Sequence, residues 1–508
     1  MDNNKIKTLG ELKKSGYISK SIKQEIRDNL ILKIKAKENP FPGILGYEDS
    51  VIPDTERALL SQHNILFLGL RGQAKTRMAR QMIELLDEYI PIVAGSEIND
   101  DPLKPVSKYA VDLIAEKGDD TPIAWLHKKQ RYGEKLATPD VSVADLIGDI
   151  DPIKAANLKL SFADEGVLHY GIIPRSNRSI FVINELPDLQ ARIQVSLFNI
   201  LEEGDLQIRG FKLRLPLDVL FVFTANPEDY TNRGSIVTPL KDRIESQILT
   251  HYPKSIETSL AITEQEAGIS EEQSSRVKVS DLIKRLIEQV AFEARTSELV
   301  DKKSGVSARL SISAYENAIS AAERRAIINN EKETQVWLSD LIGIIPSITG
   351  KIELVYEGEQ EGPYQVAFNL LEKSIRTQFG LYFPNPDTLK KKRSKEAAPD
   401  DNPYKSITRW FDAGNSLNNF FETKDEDKVQ LLYKVDGLHA LVKKYFKSAN
   451  EKENALLMEF VLHGLAAHSL ISKKVVEGKI EFKDLMGSML NIGSQHFSEE
   501  DFNEDDFN

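Results

Sequence analysis

Three short apolar runs punctuate the first half of the chain, and each breaks off at a glycine or a polar residue. Ile65-Leu66-Phe67-Leu68 stops at Gly69, Ile180-Phe181-Val182-Ile183 at Asn184-Glu185, and Val219-Leu220-Phe221-Val222-Phe223 at Thr224-Ala225-Asn226-Pro227. Continuous apolar runs of this length predict strands buried on both faces. Between them the period lengthens. Met78, Met82 and Leu85 share one helical face after Lys75-Thr76, and Ile193, Leu197 and Leu201 share one face of a helix expected over residues 190–203. Strands alternating with helices predict a parallel sheet with helices on both faces. Ligands of such sheets bind beyond the carboxyl ends of the strands, and Gly69, Glu185 and Asn226 each lie just past one.

The rest of the pattern is mainly helical. Ile22, Ile26, Leu30 and Ile34 recur at helical spacing before Pro40-Phe41-Pro42-Gly43 stops any helix. Residues 95–135 are polar with weak periodicity and read as an elaborated connection. A helix-prone stretch follows residues 143–151 and ends at His169-Tyr170-Gly171. Residues 204–216 alternate around Arg209-Gly210, which predicts a β-hairpin whose tip is either a pore loop of a ring or a surface turn with no pore role. From about residue 275 strands nearly vanish. Ser280 reads as the N-cap of a helix over 281–295, with further helices over 311–328 and 364–376, and 404–490 reads as helical throughout.

Composition narrows the class. At 508 residues, 41% hydrophobic and 28% charged, the chain suits a soluble globular protein of two to four domains. The absence of cysteine excludes disulfides, thiolate zinc sites and thiol catalysis. No apolar stretch is long enough to span a bilayer and the polar start predicts no signal peptide, so a cytoplasmic location and no membrane partner are expected. Net charge is −12, and half of it sits in the tail at Glu499, Glu500, Asp501, Glu504, Asp505 and Asp506. That balance argues against non-specific DNA binding by the whole surface and leaves open a local basic patch in an assembled ring; no specific nucleic-acid partner is expected. The basic run at residues 390–395 meets acidic residues at once and reads as a solvated linker. Glu459 and His463 lie one turn apart with His468 nearby, but lack a third ligand on the same face and read as structural.

Strand, glycine turn, Lys-Thr and helix together form the layout of a phosphate-binding loop. Gly69, Arg71, Gly72, Gln73, Ala74, Lys75, Thr76 and Arg77 would surround a polyphosphate, with backbone N–H groups directed at it. Lys75 would neutralise the β- and γ-phosphates and the Thr76 hydroxyl would complete Mg²⁺ coordination. The strict pattern, G-x-x-x-x-G-K-[ST], has glycine where this chain has Ala74. Alanine there is tolerable at negative φ and costly at positive φ. Hydrolysis further needs an activated water and positive charge at the γ-phosphate. Glu185 is placed to polarise water and Asn226 to orient it. Arg243 is suited to reach a neighbouring subunit, and Arg309, opening a later helix, to close over the phosphates.

In this order the residues from about 40 to 309 resemble AAA+ ATPases of the helix-2-insert clade, above all the ATPase (I) subunit of magnesium chelatase and the related MoxR proteins. Phe41-Pro42-Gly43-Ile44-Leu45-Gly46-Tyr47-Glu48 is similar to the family's adenine-proximal segment, which makes Ile44 and Leu45 candidate nucleotide contacts. Residues 69–76 resemble Walker A and Phe181-Val182-Ile183-Asn184-Glu185 Walker B. Thr224-Ala225-Asn226-Pro227-Glu228 resembles sensor 1, Pro239-Leu240-Lys241-Asp242-Arg243 the arginine-finger segment, and Ser307-Ala308-Arg309 sensor 2. Residues 146–151 and 173–178 resemble the stretches flanking the clade's insert.

The resemblance implies an α/β fold, a P-loop AAA+ three-layer sandwich with a parallel central sheet, followed by an all-helical lid, and the helical pattern of the remaining chain adds a C-terminal helical domain. The expected divisions are a helical lead-in (1–38), the nucleotide-binding module (39–265), the lid (266–385), a charged linker (386–403), a helical domain (404–490) and an acidic tail (491–508). It further implies ATP and Mg²⁺ as cofactors, a homo-oligomeric, hexameric ring, and a partner protein carrying a von Willebrand factor A domain. Asn184 stands where Walker B has an aspartate, so weaker Mg²⁺ binding or slower turnover is expected there. The leading expectation is a chaperone-like ATPase. The alternatives are a chelatase subunit serving tetrapyrrole metal insertion and a scaffold that binds ATP without hydrolysing it.

Overall fold

The computed structural model describes residues 6–159, 165–207, 214–227, 234–393, 402–418, 422–447, 450–476 and 479–485. The chain divides into two compact units, at Pro253 and Lys254. The first is built on five strands: β1 (Ile65–Leu68), β2 (Tyr132–Leu136), β3 (Ser179–Asn184), β4 (Val219–Ala225) and β5 (Ser246–Leu249). They form one sheet in the order 5-1-4-3-2, every pair parallel.

Side chains alternate across this sheet into two cores. Ile65, Phe67, Ile180, Val182, Leu220 and Val222 face α1 (Ile22–Ala36), α2 (Val51–Leu60) and α3 (Lys75–Gln81). Leu66, Phe181, Ile183, Phe221 and Phe223 face the helices Ala191–Ser196 and Phe198–Glu203 and the helix Thr238–Arg243. Apolar residues on both faces are why β1, β3 and β4 are continuous runs. The helix expected over 190–203 is two short ones meeting at Leu197.

The edge strands differ from expectation. β2 lies at the end of the segment read as a connection, and the strand Ile123–His127 lies inside it, antiparallel to Tyr89–Val93 just before it. Tyr132-Gly133-Glu134-Lys135-Leu136 has no fully buried residue, so it carries no apolar run. Arg214–Pro216 pairs with Asp205–Gln207 as the hairpin pattern predicts, while Arg209 and Gly210 lie outside the described residues.

α1 is part of this unit. Ser21 caps it, its side chain accepting from the Gln24 N–H, and the Ile22 N–H donates to Asp218 at the start of β4 over 2.7 Å. Arg131, the residue before β2, meets Glu25 of α1 through two hydrogen bonds of 2.7 Å.

The second unit is mostly helical, and one continuous core runs from Val277 to Phe482. Its long helices are Asp281–Thr296, Arg309–Ile328, Pro363–Tyr382 and Glu451–Ala467. Residues 266–385 and 404–490, expected as separate lid and C-terminal domains, share that core. Two small β pairs interrupt the helices: Val277–Lys278 with Thr334–Gln335, and Ser472–Val476 antiparallel to Lys479–Lys483. The second pair corrects the all-helical reading of 404–490. Ile480 and Phe482 alternate into the core from its second strand, too few positions for a period-2 signal. Glu459 accepts the backbone N–H groups of Leu338 (2.9 Å) and Ser339 (3.1 Å), tying two helices together. Among the described residues no cluster of three metal-ligating side chains occurs, and no helix is long and apolar enough to cross a membrane.

Removing one partner of a buried ion pair leaves the other charge without water or counter-charge. The Arg131 and Glu25 side chains are 1% and 5% exposed. Glu25→Ala is therefore expected to destabilise the first unit by about 3–5 kcal/mol in chemical denaturation. A loss under about 1 kcal/mol would mean that the apolar face of α1 alone holds it in place.

Candidate functional site

Strand register builds the site. Leu68, the last residue of β1, pairs with Ala225 of β4 and Leu249 of β5. Ile183 of β3 pairs with Phe223, which sets Asn184 beside Thr224. Gly69, Asn184, Glu185 and Asn226 are thereby brought to one edge of the sheet, at the carboxyl ends of its three inner strands.

The loop after β1 is braced from both sides. The Gly69 N–H donates to Ala225 O over 3.1 Å. A Cβ on Gly69 would lie 2.0 Å from Thr250 Oγ1 and 2.3 Å from Gln73 Oε1, so only glycine fits there. Those two groups are themselves joined, Thr250 Oγ1 donating to Gln73 Oε1 over 2.7 Å. The Tyr47 hydroxyl donates to Gln73 O (2.8 Å) and His251 O (2.9 Å), and burial pushes this phenol up to about 12. Tyr252 donates to Arg71 O over 2.9 Å. Ile44 is buried and Leu45 half-buried, in the segment that Tyr47 fastens to the loop.

Gly72 and Ala74 both have positive φ, 73° and 54°. Ala74 thus takes the costly of the two conformations the sequence left open. Its methyl group strains against its own backbone there, by about 1–2 kcal/mol. Glu185 is left-handed too, at φ 54° and ψ 50°, with its N–H donating to Thr224 Oγ1 over 3.2 Å. Strained backbone persists where surrounding structure over-determines it, commonly at functional positions.

Lys75 opens α3 and is buried, with its ammonium donating to the carbonyls of Gly69 and Leu70, the latter at 3.0 Å. Thr76 Oγ1 donates to Asn184 Oδ1 over 3.2 Å, and Thr224 Oγ1 donates to the same oxygen over 3.0 Å. The Asn184 amide nitrogen donates to Glu134 Oε1 on β2, at 2.7 Å. Burial pushes the Glu134 carboxyl up, but hydrogen bonds from Arg80, Tyr132 and Asn184 outweigh it and hold it below the ordinary glutamate range. Arg71 is exposed and Arg77 half-exposed at the loop.

The two arginines lie elsewhere. Arg243 ends the helix Thr238–Arg243, three residues before β5, whose first residue pairs with Ile65 at the opposite end of β1 from the loop. Its guanidinium donates to Glu202 (2.8 Å) and Pro239 O (2.8 Å), and stacks on Phe198 with 4.9 Å to the ring centre. The structure does not bring Arg243 to its own chain's loop. Arg309 belongs to the second unit, where it opens the helix Arg309–Ile328 and its N–H donates to Ser307 Oγ over 3.1 Å. Glu228 lies outside the described residues. Three residues that shape the site carry no motif of their own: Glu134, Thr250 and Tyr252.

The donor set fits a magnesium nucleotide. Thr76 and Asn184 present hard oxygen atoms, and Mg²⁺ takes one or two protein oxygens while phosphates and water fill its octahedron. The Lys75 ammonium sits on loop carbonyls, where a phosphate oxygen is the stronger acceptor.

A parallel sheet of order 5-1-4-3-2, with a glycine loop and Lys-Thr between β1 and α3, is a three-layer P-loop sandwich. No protein-family model matches the chain, and no curated protein matches its sequence. Among solved structures it is similar to a candidate ATPase of Cytophaga hutchinsonii, at 18% identity over 72% of this chain and 98% of that one, TM-score 0.28. It is also similar to a chain of the magnesium chelatase BchI–BchD complex, at 17% identity over 63% of this chain and 98% of that one, TM-score 0.33. A RuvB variant of Thermotoga maritima matches at 12% identity over 72% of this chain and 90% of that one, TM-score 0.33. Likenesses this distant carry no argument about family or function, and the fold is read from the strand order and loop of this chain alone.

Glycine at position 74 would relieve the left-handed strain while adding freedom to the unfolded chain, and the two effects partly cancel. Ala74→Gly is expected to stabilise the first unit by roughly 0.5–1 kcal/mol, measured by denaturation without nucleotide. A destabilised Ala74→Gly protein would show that the alanine methyl makes a contact worth more than the strain.

Proposed function

We propose that the chain is a Mg²⁺-dependent ATPase of the MoxR and magnesium-chelatase-I type, working in an oligomeric ring to remodel or activate a partner protein. One observation carries the reading: the register of β1, β3 and β4 sets the Lys75 loop, Asn184-Glu185 and Asn226 side by side, with Thr76 bonded to Asn184. Gly69 to Arg77 would cradle the polyphosphate, with Ile44 and Leu45 toward the base. Thr76 and Asn184 would hold Mg²⁺, which when bound neutralises the β- and γ-phosphates.

The other roles follow from position. Glu185 would polarise the attacking water and Asn226 would orient it. Lys75 would exchange its loop carbonyls for phosphate oxygens. Arg243, remote from its own loop, would act on the nucleotide of a neighbouring subunit, and Arg309 would close over the phosphates. The Arg243–Glu202 pair does not oppose this, since Glu202 is 58% exposed and such pairs contribute about 0–1 kcal/mol. The ring, its hexameric size and a partner with a von Willebrand factor A domain belong to the same proposal.

Strained Ala74 and neutral Asn184 favour slow turnover, and in the limit a scaffold that binds ATP without cleaving it. Phosphate release and ATP affinity, measured on wild type and Glu185→Gln, separate the readings. The ATPase reading expects Glu185→Gln to keep affinity within about threefold and to lose hydrolysis by a factor of about 10²–10⁴, the usual span of general-base catalysis. A wild type that binds ATP but releases no phosphate is the scaffold. A wild type that binds no ATP with Mg²⁺ present overturns both.

A further inference from the structure

We propose that Glu134 is the positioning residue that allows a neutral Asn184 to stand at the end of β3: it holds the amide so that Oδ1, and never Nδ2, faces Thr76. The inference rests on the proposed magnesium-nucleotide site and adds to it a residue from the neighbouring strand.

The chemistry of the three partners decides the orientation. Asn184 meets two hydroxyls, Thr76 and Thr224, on its oxygen side and one carboxylate, Glu134, on its nitrogen side. A hydroxyl can donate or accept, so the threonines would tolerate either face of the amide. An ionised carboxylate only accepts, so Glu134 permits one orientation alone. With Oδ1 toward it, Thr76 spends its proton on Asn184 and keeps its lone pairs for a metal. A flipped amide would donate into those lone pairs and present N–H to the cation.

Glu134 is placed for this by register and held by its other contacts. Leu136 pairs with Asn184 and Glu134 with Val182, which makes Glu134 and Asn184 diagonal neighbours across β2 and β3. Arg80 grips both carboxylate oxygens, at 2.9 and 3.0 Å, and the Tyr132 hydroxyl donates to Oε2 over 2.9 Å. Arg80 and Thr76 sit one turn apart on α3. Thr76, Asn184, Glu134 and Arg80 therefore form a closed ring of contacts that begins and ends on the helix behind the loop. The negative charge missing from position 184 stands one strand away, and an aspartate at 184 would put two carboxylates in contact across the 2.7 Å now spanned by Asn184 Nδ2 and Glu134 Oε1.

The test is equilibrium binding of a non-hydrolysable ATP analogue to the full chain, titrated with Mg²⁺ and repeated in chelator. Glu134→Gln, whose amide can face Asn184 either way, is expected to raise the half-saturating Mg²⁺ concentration about tenfold and to leave metal-free affinity within about twofold. Asn184→Asp alone is expected to bring no gain. The double variant Glu134→Gln with Asn184→Asp is expected to return to the wild-type Mg²⁺ requirement or below it. The inference is overturned if Glu134→Gln leaves that requirement unchanged, if it weakens metal-free binding equally, or if Asn184→Asp alone matches the double variant. A wild type with no Mg²⁺-dependent binding overturns the site and the inference together, whereas normal wild-type binding with indifferent variants overturns the inference only.

Discussion

Leu68 pairs with Ala225 and Ile183 with Phe223, so β1, β4 and β3 end within a residue of one another. Everything chemical in the first unit depends on that alignment. A slip of one residue in β3 would turn Asn184 to the other face of the sheet and separate it from Thr76 and Thr224. The register is in turn enforced by packing. Phe181, Phe221 and Phe223 fill one face while Ile180, Val182, Leu220 and Val222 fill the other, and neither core can exchange with its counterpart without leaving voids.

On this frame the loop is held by contacts that come late in the chain. Thr250, His251 and Tyr252 follow β5 directly, and through Gln73, Tyr47 and Arg71 they fix the backbone of residues 69–73. The segment around Ile44 is joined to the same knot by Tyr47. A nucleotide bound there would touch a surface whose shape is set by three distant parts of the sequence. That bracing also explains how Ala74 is kept left-handed, since its neighbours on the loop are fixed by others.

The inner strands and most long helices were legible because they are buried on broad faces and announce it by period. Asp281–Thr296 follows its Ser280 cap, and Arg309–Ile328 and Pro363–Tyr382 fall where helical spacing puts them. β2 and β5 were not legible, because an edge strand with exposed positions needs few apolar residues. Glu134 was hidden for the same reason: without the strand there is no register, and without register nothing links it to Asn184 fifty positions on. The shared core of the second unit was equally invisible, since the contacts between Pro363–Tyr382 and Glu451–Ala467 span the charged linker sequence. Position 74 was legible only as a choice, because sequence gives residue identity and the sign of φ belongs to the fold.

Ala74 and Asn184 both depart from the pattern of the loop and strand they occupy, yet their physics differs. The cost at Ala74 is a clash within one residue, felt at that residue and open to no repair by a neighbour. The cost at Asn184 is electrostatic. Charge acts across several ångströms, so a carboxylate on the adjoining strand can restore much of the local potential and, through one hydrogen bond, the orientation as well. A sequence comparison position by position scores both as losses. The pairing of β2 with β3 makes the second a displacement of charge by one strand, from the end of β3 to the middle of β2, with Asn184 as the link that carries its effect back to Thr76.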